Sequence, residues 1–196
     1  MLCFFAALSG WSAYLTAISS GTDGRVFPGA CERETEETRQ MNCLFEEQGI
    51  PGVLQLAEKA EAAADLEFAF DLYEFASRKG SPVASYNVGV FYEEGGTVEQ
   101  STEKAIEYYS ESAAAEFVPA FFNLGNIYCR DSFSENKKDC AYWLLKAFQA
   151  GDLDAGYNLA MYLVKNETDL DWAEVLINMA AEQGHEPSAS FLDGIK

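Results

Sequence analysis

Positive charge is scarce in this chain of 196 residues, where 13 Lys and Arg stand against 32 Asp and Glu for a formal net charge of −19. A nucleic-acid binder needs a cationic footprint to displace counterions from phosphate, so that class is excluded. Histidine is nearly absent too: His185 is the single copy. Most acid–base, triad and zinc chemistry therefore lacks its usual material. No Cys-x-x-Cys occurs, and no Cys/His set has zinc spacing. Accordingly no catalytic residue, metal ligand or cofactor is assigned. What is present is apolar surface. Hydrophobic residues make up 48% and aromatics 14%, which supports a packed core and argues against intrinsic disorder. One domain, or one domain with an appendage, is expected at this length.

Charge is missing altogether from residues 1–20, MLCFFAALSGWSAYLTAISS. As a helix this segment would reach about 30 Å, one hydrocarbon thickness. Three readings compete for it. It is a membrane anchor, a helix docked on protein, or a signal peptide cleaved near Ala17-Ile18-Ser19, although no Lys or Arg precedes the apolar run. The anchor leads, giving membrane contact through residues 1–20. Residues 21–48 are expected as an acidic linker or helix, and residues 49–196 as a repeat domain.

The repeat is carried by small residues. Ala69/Ala76/Ala84, Ala105/Ser112/Ala120, Cys140/Ala147/Ala155 and Ala173/Ala180/Ser188 have internal steps of seven and eight, and the sets begin 36, 35 and 33 residues apart. Nine of these 12 positions are alanine, whereas 27 alanines in 196 residues would place fewer than two there by chance. Stacked helices approach closely only where side chains are small, which explains such a lattice. Bulky pairs follow each first position: Leu72-Tyr73, Tyr108-Tyr109, Trp143-Leu144 and Leu176-Ile177. Each third position opens a second helix of small-x-x-x-apolar-small form, as in Ala84-SYN-Val88-Gly89 and Ala120-FFN-Leu124-Gly125. Turn signals separate the helices, among them Lys79-Gly80-Ser81-Pro82 and Gln183-Gly184-His185.

The strings ASYNVGVFYEEGG, KAIEYYSESAA, AFFNLGNIY and INMAAEQGHEPS resemble Sel-1-like repeats, relatives of the tetratricopeptide repeat. The resemblance covers about residues 66–196. It implies an all-α fold, a right-handed α-α solenoid of three to four repeats preceded by the hydrophobic N-terminal helix. It also implies a scaffold rather than an enzyme. Departures exist: Ala160 stands in place of the helix glycine, Leu163 in place of a tyrosine, and Cys140 in place of an alanine. The last repeat is truncated after Leu192, and residues 53–64 read as the first helix of a degenerate opening repeat.

Cys129 ends one predicted helix and Cys140 opens its antiparallel partner, so the two fall side by side across a loop. They form a disulfide or are two small buried residues. Cys31 and Cys43 are too far apart within one straight helix and pair only if a turn intervenes. Two disulfides would imply an oxidising space. The arrangement resembles cysteine-bearing Sel-1-like proteins of the mitochondrial intermembrane space that are linked to respiratory-complex assembly. Asn166-Glu167-Thr168 is a glycosylation sequon, used only if the chain enters the secretory pathway.

Tyr86-Asn87, Phe122-Asn123 and Tyr157-Asn158 recur at one place in three repeats. They form either an amide ladder on a groove for an extended partner segment or ordinary repeat packing. A carboxylate clamp of the tetratricopeptide type is not expected, because residues 84–92, 120–128 and 155–163 contain no Lys or Arg. Glu93, Glu94, Glu99, Glu103, Glu107 and Glu111 lie in one repeat, opposed there by Lys104 alone. This acidic shoulder keeps the chain soluble or steers a basic protein such as a cytochrome c. These readings converge on a non-catalytic, membrane-anchored accessory or assembly subunit of a respiratory-type complex, with protein subunits as partners. The alternative is a secretory-lumen adaptor that presents client proteins.

Overall fold

Capping chemistry sets most helix boundaries. In the computed structural model, which describes residues 36–130 and 137–194, Ser81, Ser101 and Asp152 each accept a hydrogen bond from the backbone N–H three residues on. They open α3 (Pro82–Glu94), α4 (Thr102–Ala114) and α7 (Leu153–Lys165). The other elements are α1 (Glu36–Ala62), α2 (Leu66–Arg78), α5 (Val118–Cys129), α6 (Lys137–Gln149), α8 (Leu170–Glu182) and α9 (Glu186–Gly194). No strand occurs among the described residues, so the fold is an all-α repeat solenoid.

The described residues from Gln40 onward form one compact unit, and the few described residues before Gln40 only begin α1. α1 is two helices joined at Gly49, whose backbone sits at φ 66 and ψ −166, with Pro51 opening the second half. The segment expected as an acidic linker or helix is helical over its described part, residues 36–48. Met41 and Leu44 are buried, and the Phe45 ring meets Phe75 edge-on at 6.1 Å. Residues 1–35 lie outside the described residues, and with them the expected N-terminal helix. No described helix is long and apolar enough to cross a membrane.

The small-residue lattice is the solenoid's seam. All 12 lattice residues are at most 1% exposed. Consecutive helices pack antiparallel around them, α3 on α4, α5 on α6 and α7 on α8. A Cβ on Gly125 would come within 2.6 Å of Leu144, and one on Gly89 within 2.7 Å of Tyr109. Gly156 in α7 makes a contact of the same kind across the repeat boundary, where a Cβ would lie 2.5 Å from Phe148 of α6. Ser112, a lattice residue with a hydroxyl, donates to the Pro82 carbonyl at 2.7 Å, which satisfies its burial.

Candidate partner-binding face

Helices α3, α5 and α7, one to each repeat, bring the recurring aromatic–asparagine pairs along the molecule. Asn123 donates to the Tyr86 hydroxyl at 3.4 Å, joining α5 to α3. Asn158 donates to Asn126 Oδ1 at 3.1 Å, joining α7 to α5. Asn87 instead donates to the Val83 carbonyl of its own helix. Two of the three amides thus cross a repeat boundary and one does not. Tyr86, Phe122 and Asn123 line an open cleft of about 390 Å³ with Val118, Pro119 and the turn at Ala150, Gly151 and Asp152. Tyr157 does not line it; its ring packs beside His185 at 5.5 Å. Burial raises the Tyr86 hydroxyl above its ordinary pKa, and the Glu93 and Glu94 charges add to that. The cleft therefore presents the neutral Tyr86 phenol together with one further aromatic face, that of Phe122.

Glu93 is a correction to the expected acidic shoulder. It accepts from the Tyr109 hydroxyl at 2.9 Å and pairs with Arg130 at 2.8 Å, and its side chain is only 21% exposed. Arg130 comes from the following repeat, so local spacing could not reveal it. Glu94, Glu99, Glu103, Glu107 and Glu111 are exposed as expected. Tyr73 repeats the motif one unit earlier by donating to Glu61 at 2.7 Å.

A disulfide joins Cys129 at the end of α5 to Cys140 in α6, with Cα atoms 4.9 Å apart. Cys43 is exposed on α1, and Cys31 lies outside the described residues. Asn166 ends α7, and its amide donates to the Tyr162 carbonyl at 2.7 Å.

The single histidine stands in a row that local sequence did not suggest. His185 Nδ1 lies 2.7 Å from the Ser188 hydroxyl, and Nε2 lies 3.0 Å from Asp154. The order resembles a hydrolytic triad, but Ser188 is wholly buried and meets no substrate. The Ser188 backbone N–H also donates to Nδ1, so the row caps α9 and ties it to α7. Among the described residues no group of three or more His, Cys, Asp or Glu is placed to hold a metal ion.

The Sel1 repeat model matches residues 45–81, 82–117 and 119–152, more than half of the chain. This chain belongs to the Sel1 repeat family. The match ends at residue 152, yet α7 and α8 continue the Sel1 lattice with Ala155, Ala173 and Ala180 buried.

Among curated proteins, chitin synthase regulatory factor 3 of Schizosaccharomyces pombe is 29% identical over 102 residues, 52% of this chain. This chain spans only 10% of that protein's length. A Sel1 repeat protein from Oxalobacter formigenes shares the fold with a TM-score of 0.65 at 18% identity, over 81% of this chain and 73% of that one. A protective antigen of uropathogenic Escherichia coli strains, described as displaying an SLR fold, aligns with a TM-score of 0.66 at 20% identity. That alignment covers 76% of this chain and 34% of the antigen.

Proposed function

We propose that this Sel1 chain is a non-catalytic protein-interaction scaffold that holds an extended partner segment against α3 and α5. The cleft between Tyr86, Phe122 and Asn123 carries this reading. Aromatic faces give contact area at low entropic cost, and amide groups match the donors and acceptors of an extended backbone. The fungal relative described as a chitin synthase regulatory factor supports a regulatory use of such repeats. Crosslinking of the full chain in its native source, compared with a Phe122→Ala variant, tests the cleft. Partner crosslinks should vanish while helix content stays unchanged; crosslinks retained by the variant would sink the reading.

We infer further that the scaffold serves a membrane complex in an oxidising compartment, with the mitochondrial inner membrane and its respiratory chain as the preferred setting. The Cys129–Cys140 disulfide and the uncharged first 20 residues support this. Protein that leaves membranes on carbonate extraction, or Cys129 and Cys140 thiols that alkylate without reductant, would overturn it. The secretory-adaptor alternative requires a glycan on Asn166, whose amide is engaged by the Tyr162 carbonyl. Intact mass of the native protein separates the two settings.

A further inference from the structure

Corresponding positions line the outer surfaces of α2, α4, α6 and α8. The residues just before the two lattice positions, with one residue between them, form a stripe at helical spacing. In α2 the stripe is Phe68, Asp71 and Phe75. Phe68 and Phe75 are only 2% and 3% exposed, and the α1 ring of Phe45 lies on Phe75. In α4 the same positions are Lys104, Glu107 and Glu111, all exposed. In α6 they are Asp139, Tyr142 and Lys146. In α2, where the stripe carries two rings, α1 covers it; in α4, where it is charged, it meets water; in α6 a single ring, Tyr142, stands 56% exposed between Asp139 and Lys146.

α8 differs from all three, because its stripe carries no charged residue. Its stripe is Trp172, Val175 and Met179, which remain 38%, 42% and 41% exposed. No residue of α8 lines the cleft described above. The surroundings indicate what covers the stripe: between Lys165 and Lys196 every formally charged residue is an acid. Helical phase sets Asp171 and Glu182 along one border of the stripe, with Glu174 beyond them.

We propose that the outer face of α8 docks a basic amphipathic helix of a protein partner. Its apolar side covers Trp172, Val175 and Met179, and its Lys or Arg side chains meet Asp171 and Glu182. The mode is a helix laid on an apolar strip, with charge selecting partner and orientation. A second copy of this chain fits poorly, because it brings the same acids, and α1, whose Phe45 lies on α2, carries Glu46 and Glu47. An anionic membrane surface is repelled for the same reason.

The test uses the full chain and two designed helical peptides with leucine on one face, flanked by lysine in one and by glutamate in the other. The lysine-flanked peptide should bind, more weakly as salt rises, and the glutamate-flanked one should not. A variant with Trp172→Lys, Val175→Glu and Met179→Glu installs the residues that α4 already tolerates at these positions. It should fold with unchanged helix content and bind the basic peptide about tenfold or more weakly. Equal binding by the variant, equal binding of both peptides, or no binding of the lysine-flanked peptide overturns the proposal. So does preferential binding to anionic phosphatidylserine vesicles, or a dimer of the native chain that the variant converts to monomer.

Discussion

At Gly125 one carbon atom decides how closely α5 can lie on α6. A Cβ there would sit 2.6 Å from Leu144 Cδ2 and 3.0 Å from its backbone nitrogen. The side chain can swing aside; the backbone cannot do so cheaply. Gly125→Leu should therefore overfill the seam and cost on the order of 1–3 kcal/mol, read as a lower urea midpoint. An unchanged midpoint would mean that the helices do not meet at this glycine. Two tyrosines make a second residue-scale prediction. Burial first, then the Glu93 charge and hydrogen bond, raise the Tyr109 pKa far above its ordinary value, and burial with Glu61 does the same for Tyr73. A raised folded pKa leaves its stability intact below the unfolded value of about 10 and removes it as pH climbs above that. Unfolding midpoints should stay level for these groups through neutral pH and fall above about pH 10. Tyr109→Phe should flatten that alkaline fall, and an identical fall in the variant would refute the assignment.

Across the elements, successive repeats tie the end of the first helix to the second by different means. Glu61 accepts from Tyr73 and Glu93 accepts from Tyr109, whereas Cys129, one repeat on from Glu93, is bonded to Cys140. Leu144 takes the tyrosine's place in that pair, so the disulfide stands where a buried hydrogen bond would otherwise act. Cys129→Ala with Cys140→Ala isolates the crosslink, because alanine is the lattice residue at position 140. The loss should be roughly 3 kcal/mol in the chain-entropy model, measured as a lower thermal midpoint. Reductant should mimic it in the native chain and leave the double variant unmoved.

The repeat was legible because its seam depends on short-range spacing: Ala105, Ala120 and Ala147 report their own burial through period alone. Other features depend on distant partners. The packing of residues 40–48 was hidden because Met41, Leu44 and Phe45 are scattered among acids and look like a linker. Arg130 meets Glu93 from 37 residues away, and His185 reaches Asp154 across 31. No local pattern encodes such pairs. For the same reason the cleft was legible only as repeated Tyr–Asn and Phe–Asn pairs. Which amides cross repeats, and that Tyr157 turns toward His185, follows from helix stacking.

For the molecule as a whole, charge sets how partners arrive. With 32 acids against 13 Lys and Arg, the field favours cations everywhere, but its exposed sources are uneven. Removing Glu93 from the open shoulder leaves Glu94, Glu99, Glu103, Glu107 and Glu111, with Lys104 turned onto the Tyr92 ring at 4.6 Å. Exposed charges beyond a Debye length of about 10 Å are screened, so this shoulder can accelerate encounter more than it can hold a complex. Association of a basic protein such as a cytochrome c with the full chain should thus show an on-rate that falls steeply from low to physiological salt. The off-rate should change far less. Reversing Glu99, Glu107 and Glu111 to lysine should flatten that dependence without altering the unfolding midpoint, because all three are exposed and none has a buried partner to lose. A flat salt dependence in the native chain, or an off-rate that carries most of it, would end the steering hypothesis and leave the acids a solvating role only.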